Sequence, residues 1–177
     1  MRTVFIGLSV DGFIARRNGA LDFLPEAPED HGYEALMASV DALVMGRATF
    51  ETVLGFGGPW PYGDKRIVVL TSRPLDVSAI AGRVEVMSGE PAEVVARLEA
   101  SGARNLYVDG GATVQRFLAA GLIDRLVLTR VPVLIGEGIP LFGPLGRDVR
   151  LRHLATRSFP SGLVQTEYAV EPAGGRP

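Results

Sequence analysis

Two strand–glycine–helix junctions constrain this chain more than any other feature of its sequence. The first lies within Asp41–Glu51, where an apolar strand passes into a helix with only Gly46 and Arg47 between them. The second lies within Asn105–Gln115, with Gly110-Gly111 as its hinge. Each junction presents the unpaired N–H groups of a helix N-terminus beyond a strand end, which favours an anion. Either one alone is better explained as a tight turn that needs glycine, but together they favour a ligand with more than one phosphate.

Composition narrows the class of protein. The 177 residues are 47% apolar and 21% charged, which predicts one globular domain over residues 1–170 and a disordered tail over 171–177. A net charge of -2 without a basic stripe argues against a nucleic-acid partner. No apolar run suits a signal peptide or a membrane span, so we expect a cytoplasmic protein. Cysteine is absent and the two histidines, His31 and His153, are far apart, so no metal site is predicted.

The order of the predicted elements indicates an α/β fold. Helices are predicted over residues 31–38, 49–54, 91–100 and 112–120. Strands are predicted over residues 3–9, 66–71, 84–87, 106–108 and 123–132, followed by a hairpin of residues 150–159 and 163–170. Strands that alternate with helices and end in a hairpin predict a mixed, mostly parallel sheet with antiparallel strands at one edge.

A third candidate phosphate site follows the strand at 66–71. Thr71, Ser72 and Arg73 offer two hydroxyls and a guanidinium, which suit a phosphate monoester, although a solvated turn explains them as well. Neither the Rossmann nor the Walker glycine pattern is present. Together, the three sites suit a pyrophosphate and a ribose 2′-phosphate, which predicts NADPH rather than NADH.

Five motifs in this order resemble a known family: Ser9–Ala15, Val44–Phe50, Leu70–Arg73, Asp109–Thr113 and Val131–Phe142. Their sequence is similar to that of the dihydrofolate-reductase-like superfamily. The branch that they resemble most is the reductase domain of the riboflavin-biosynthesis protein, over nearly the whole span from residue 2 to 170.

The resemblance implies a three-layer fold, with a central sheet of about eight strands, that binds NADPH in an extended conformation. It also implies a cis peptide between Gly110 and Gly111. The nicotinamide would contact Gly7 and Ile14. The phosphates and the adenosine ribose would contact Gly46, Arg47, Ala48, Thr49, Thr71, Ser72, Arg73, Gly110, Gly111, Ala112, Thr113 and Val114.

The resemblance also suggests catalytic residues and limits the substrate. Asp30 occupies the position of the acid that orients the pterin in dihydrofolate reductases, and Thr129 matches its hydroxyl partner. Asp30 is equally placed to be a helix N-cap. Asp64 stands where an arginine would bind the folate tail, which disfavours folate. Arginines that would grip the phosphate of the riboflavin-pathway substrate are not evident either.

The sequence therefore predicts an NADPH-dependent reductase that passes a hydride to a C=N or C=O group of a small heterocycle. Trp60 and Tyr62, in a loop rich in glycine and proline, are candidates for the substrate pocket. Two alternatives remain: a nucleotide-binding module without turnover, and a riboflavin-pathway reductase that stands alone. A homodimer is predicted because the apolar connector of residues 133–145 needs a covering surface.

Overall fold

The computed structural model of the chain describes residues 1–25, 29–80 and 82–172. These residues form ten strands and four helices. The helices are α1 (Tyr33–Ser39), α2 (Arg47–Gly55), α3 (Pro91–Ala100) and α4 (Gly111–Ala119). The strands are β1 (Arg2–Ser9), β2 (Phe13–Ala15), β3 (Ala42–Gly46), β4 (Arg66–Leu70), β5 (Val84–Met87), β6 (Leu106–Asp109), β7 (Arg125–Val131), β8 (Ile139–Pro140), β9 (Leu151–Ser158) and β10 (Val164–Val170).

Eight of the strands form one sheet in the order β5-β4-β3-β6-β1-β7-β10-β9. The strands from β5 to β7 pair in parallel, whereas β10 is antiparallel to both β7 and β9. The central strands are buried apolar runs, as expected for a parallel sheet covered on both faces. The predicted fold class is confirmed, including the antiparallel hairpin at the C-terminal end.

Helices cover both faces of the sheet, and each pair of helices encloses its own apolar core. Val94 and Leu98 of α3 and Phe117 of α4 belong to the larger cluster. Phe50 of α2 belongs to a second cluster, with Leu36 of α1 packed against it. Because successive residues of a strand face opposite sides, a single strand such as β6 contributes to both cores.

The order of the strands creates a crevice at their carboxyl ends. From β3, α2 leads outward to β4, whereas from β6, α4 leads in the other direction, past β1 to β7. The crossovers therefore diverge between the neighbouring strands β3 and β6. Such a switch point is where open α/β sheets bind their ligands.

Two local predictions need correction. Helix α1 begins at Tyr33, and its N-cap is Gly32 in the left-handed conformation, with φ 87°. Asp30 is not the cap, because its Oδ1 accepts the backbone N–H of Gly32 at 2.7 Å in a turn that precedes the helix. The connector after β7 also contains strand β8, which pairs with β2 to form a small second sheet.

Some predicted features fall partly outside the described residues. Positions 26–28 of the loop predicted over residues 21–29 lie outside them, as do positions 173–177 of the predicted tail. At the described end of the chain, Glu171 N donates to Arg150 O at 2.9 Å. Within the described ranges, no helix has the length and apolarity that a membrane crossing requires.

Candidate active site

The two glycine corners pack against each other. Gly46 precedes α2, and a β-carbon at this position would lie 2.9 Å from Thr113 Oγ1 of α4. Gly110 precedes α4, and a β-carbon there would collide with Thr49 Oγ1 of α2. Each glycine thus makes room for a threonine of the other helix. This reciprocal packing brings the two helix N-termini together in the crevice between β3 and β6.

The first turns of both helices are only partly accessible. Ala48 and Ala112 are exposed, and Gly46, Arg47 and Thr49 are half-buried. Because the first N–H groups of a helix have no intrahelical partner, these turns can donate to an anion.

The predicted residues deeper in α4 are less accessible. A β-carbon at Gly111 would lie 3.1 Å from Pro140 O and 3.2 Å from Ile14 Cδ1, so the small β2–β8 sheet covers this glycine. Thr113 is buried, and Val114 is fully buried with its N–H donated to Gly110 O at 2.9 Å. The side chain and N–H of Val114 therefore serve the helix and the core, which corrects its prediction as a phosphate contact.

The predicted cis peptide between Gly110 and Gly111 is wrong, since the described peptide bonds are all trans. Gly110 instead reverses the chain through its backbone angles, φ 87° and ψ 138°. Residues with a side chain rarely adopt a positive φ. Glycine is therefore required at position 110 for its backbone conformation as well as for the close contact with Thr49.

The third predicted phosphate element borders α2. Thr71 Oγ1 accepts the N–H of Arg73 at 3.2 Å, which shapes the turn after β4. Arg47 binds this turn to α2, because its guanidinium donates to Pro74 O at 3.1 Å and to Glu51 at 2.6 Å. Ser72 and Arg73 are exposed at the turn. The turn therefore adds the exposed cation of Arg73, which forms no ion pair with the described residues, close to the corner at Gly46.

A cavity of about 150 Å³ lies at the carboxyl ends of β1 and β7. Gly7 and Thr129 are register partners in these strands and line the cavity with His31. Leu24 forms part of its wall, with Cδ2 3.1 Å from where a β-carbon of Gly7 would stand. Because Gly7 has no side chain, the backbone of β1 forms a flat surface, the floor of this cavity, at that position.

The structure does not pair Asp30 with Thr129 as predicted. Thr129 Oγ1 accepts from Gln165 Nε2 at 3.0 Å, and the same amide nitrogen donates to His31 O at 3.0 Å. Asp30 is exposed and bonds to Gly32. Gln165 on β10 therefore connects the strand of Thr129 to the segment before α1, and Asp30 is excluded as the hydroxyl's partner.

Asp109, to which the sequence alone assigned no role, lies closer to the two glycine corners than Asp30 does. Asp109 ends β6 and immediately precedes Gly110, whose N–H donates to its Oδ1 at 2.8 Å. No ion pair in the described ranges involves Asp109. Burial among protein atoms raises the pKa of the Asp109 carboxyl from 3.8 to about 6, against the smaller lowering by the Gly110 N–H. The signal in the sequence was a carboxylate at the end of a buried strand, directly before Gly-Gly.

Aromatic side chains surround this acid. Burial, and secondly the charge of Asp109, raises the pKa of Tyr33, Tyr62 and Tyr107. Tyr107 lies two residues before Asp109 on the same face of β6, and its hydroxyl donates to Phe5 O at 2.8 Å. The acid therefore lies on the sheet face covered by α1 and α2, the face that also carries Phe5 and Gly7.

The two predicted pocket aromatics, Trp60 and Tyr62, pack edge-on against each other with ring centroids 5.1 Å apart, but their other neighbours differ. Tyr62 lies near Asp109, but Trp60 packs edge-on against Phe50, with ring centroids 6.0 Å apart. Trp60 lines a separate groove of about 390 Å³ with Leu54 and other apolar residues, and it does not line the cavity at Gly7. Trp60 therefore contributes to packing beneath its loop. Within the described part of the chain, no three side chains of the His, Asp and Glu types are grouped as metal ligands.

Comparisons with known proteins show the family to which the chain belongs. The family model described as the RibD C-terminal domain matches residues 3–165. A crystal structure from Shewanella sp. PV-4, of a protein named for riboflavin biosynthesis, is 38% identical over 97% of this chain and 99% of its own, with a TM-score of 0.89. YwjB of Bacillus subtilis is 34% identical over 93% of this chain and 95% of its own. A dihydrofolate reductase from Enterococcus faecalis, complexed with NADP(H), shares the fold at 22% identity, covering 97% of both chains with a TM-score of 0.67.

The raised pKa of Asp109 predicts a specific dependence of stability on pH. Well below about pH 4 the carboxyl is protonated in the folded and unfolded states alike. Between about pH 4 and 6 it ionises in the unfolded state but keeps its proton in the folded state, so stability falls with rising pH and levels off above about pH 6. The free energy of unfolding should therefore fall by roughly 2–3 kcal/mol between about pH 4 and 7, relative to an Asp109→Asn variant. Urea unfolding of both proteins at several pH values measures this difference. A constant difference would show that Asp109 has an ordinary pKa.

Proposed function

We propose, because the chain belongs to the RibD C-terminal domain family, that it is an NADPH-dependent reductase of a small heterocycle. The observation that supports this most is the reciprocal packing of the two glycine corners, which joins two helix N-termini into one site for a pyrophosphate. The fold shared with a dihydrofolate reductase that binds NADP(H) also supports it.

In this proposal, the corners and the turn after β4 bind the cofactor. The N–H groups of the first turns of α2 and α4 donate to the pyrophosphate, and Arg73 at the exposed turn pairs with the ribose 2′-phosphate. The nicotinamide lies on the flat floor at Gly7, which requires Leu24 to move from its present position. When bound, NADPH supplies the hydride.

Asp109 is the proposed proton donor. A reduction of C=N or C=O adds a proton as well as a hydride, and a carboxyl with a pKa of about 6 retains a proton in part near neutral pH. The carboxyl lies on the same sheet face as Gly7, so an acid and a hydride can approach one substrate ring. The neighbouring rings of Tyr33 and Phe5, whose centroids are 6.0 Å apart, provide an apolar surface suited to a planar heterocycle.

The 2′-phosphate assignment predicts a change in cofactor preference. Arg73→Glu should weaken NADPH binding by about 1.5–3 kcal/mol and leave NADH binding nearly unchanged, because only NADPH carries the phosphate that Arg73 pairs with. Arg83→Glu is the matched control, since Arg83 is also exposed but precedes β5, at the amino ends of the parallel strands rather than at the carboxyl ends where the crevice lies. Isothermal titration with both cofactors measures the affinities. Equal weakening of NADPH and NADH would contradict the assignment.

The assignment of Asp109 as the proton donor predicts that turnover requires Asp109 and not Asp30. Asp109→Asn should lower kcat by about 10²–10⁴ with NADPH affinity retained, whereas Asp30→Asn should be nearly neutral. In the native protein kcat should fall as the pH rises through about 6, since Asp109 then loses its proton. Loss of absorbance by reduced nicotinamide, with a panel of pterins, aminopyrimidines and carbonyl compounds, measures turnover. Tight NADPH binding without turnover of any panel member would instead favour a nucleotide-binding module.

A further inference from the structure

Three buried side-chain nitrogens lack a hydrogen-bond partner within the part of the chain that the structure describes. They are His31 Nε2, Trp60 Nε1 and Arg125 Nε. A buried polar atom without a partner destabilises the folded protein, so each such atom needs a reason. Two of the three, on His31 and Arg125, belong to side chains that line the same groove.

This groove has a volume of about 410 Å³ and lies outside the cofactor crevice. It runs between α1 and the face of the sheet formed by β1, β7, β10 and β9. Its polar lining comes mainly from His31, Arg125, Arg157, Gln165 and Glu167. Strand β9, which carries Arg157, is exposed along its whole length, so the groove opens to solvent on that side.

The charges of the groove favour an anion. Arg125 and Glu167 neutralise each other through an ion pair of 2.7 Å. Arg157 donates one N–H to the neutral amide of Gln165 at 3.1 Å and stacks on the ring of Phe159, 5.3 Å from its centroid. None of the ion pairs in the described ranges involves Arg157. The guanidinium is therefore held in place, with several donors available and with no acidic partner among the described residues.

The groove is continuous with the proposed reaction cavity. His31 and Phe5 line both spaces, so they form the boundary between the cavity at Gly7 and the groove. Gln165 reinforces this boundary, because its amide joins His31 O, Thr129 Oγ1 and Arg157. A substrate ring in the cavity therefore lies beside a cationic space large enough for one of its substituents.

We propose that this groove binds an oxyanion, carboxylate or phosphate, carried by the substrate, an inference that rests on the proposed reductase function. Arg157 pairs with the oxyanion, and His31 Nε2 and Arg125 Nε become donors to it. Both nitrogens are covered in the absence of ligand, so binding includes a small rotation of these side chains. A fixed, planar guanidinium can donate two parallel N–H···O bonds to two oxygens of a carboxylate or a phosphate.

The two histidines allow a direct test by NMR of the imidazole C–H groups. His31 lines the groove, whereas His153 lies on β9, packs against Tyr168 and does not line it, so it serves as an internal control. His153→Asn assigns the two signals. The native protein, loaded with NADP⁺ to prevent turnover, is titrated with pterin-6-carboxylate, with pterin and with inorganic phosphate.

Pterin-6-carboxylate should shift the His31 signal, leave that of His153 in place, and bind about tenfold or more tightly than pterin or phosphate alone. Arg157→Gln should remove this advantage, and Arg157→Lys should retain part of it. Arg152→Gln, an exposed arginine of the same strand outside the groove, should bind like the native protein. Equal affinities for the carboxylate and pterin, or an Arg157→Gln variant with native affinity, would overturn the proposal.

Two further outcomes separate this proposal from the cofactor assignment. Phosphate that binds as tightly as pterin-6-carboxylate would mark a site for free oxyanions and overturn the link to the substrate. Quenching of Trp60 fluorescence by NADPH, followed on separate samples of the same protein without NADP⁺ or a pterin, reports cofactor binding independently. Normal quenching with an unresponsive His31 refutes the groove alone. A His31 response without quenching refutes the cofactor assignment on which the substrate link rests.

Discussion

The site depends on the close contact between two glycine corners from neighbouring strands. Gly46 and Gly110 each accommodate a threonine from the other helix, so α2 and α4 begin side by side although they cover opposite faces of the sheet. A side chain at either glycine would push the helices apart. The partial positive charges of two helix N-termini are thereby concentrated at one place, the switch point of the sheet.

The carboxyl of Asp109, which forms no ion pair with the described residues, lies next to these two helix N-termini. The site therefore combines a group that can hold a proton with N–H groups that can bind an anion. Asp109 belongs to the same strand end as Gly110, yet it faces the side of the sheet covered by α1 and α2, where aromatic rings exclude water and raise its pKa. The two helix N-termini and the acid are therefore adjacent, and the bond from the Gly110 N–H to Asp109 Oδ1 at 2.8 Å offsets only part of the effect of burial on the pKa of the carboxyl. The proposed function uses these two groups separately, the helix N-termini for a cofactor phosphate and the acid for a substrate ring.

The sequence predicted the fold well because its signals were local and periodic. The central strands are apolar runs, and the glycine hinges mark where helices begin, so the mixed sheet and both strand–glycine–helix junctions were predicted correctly. The number of about eight strands came from the family resemblance. The site was predicted less well because it depends on which side chains meet across distant segments. Asp30 was predicted to pair with Thr129, but its carboxylate accepts the N–H of Gly32 in a turn before α1. The hydrogen bond to Thr129 comes instead from Gln165, 36 positions further along the chain. Asp109 was missed because only burial in the folded chain gives it an unusual pKa.

The most direct test of this account is a titration of the isotopically labelled protein with NADPH, followed through its backbone amide signals by NMR. If the two corners form one anion site, the amides of Arg47 and Ala48 in α2 and those of Gly111 and Ala112 in α4 should shift together, with a single dissociation constant. A response confined to one helix, or none at either, would contradict the account.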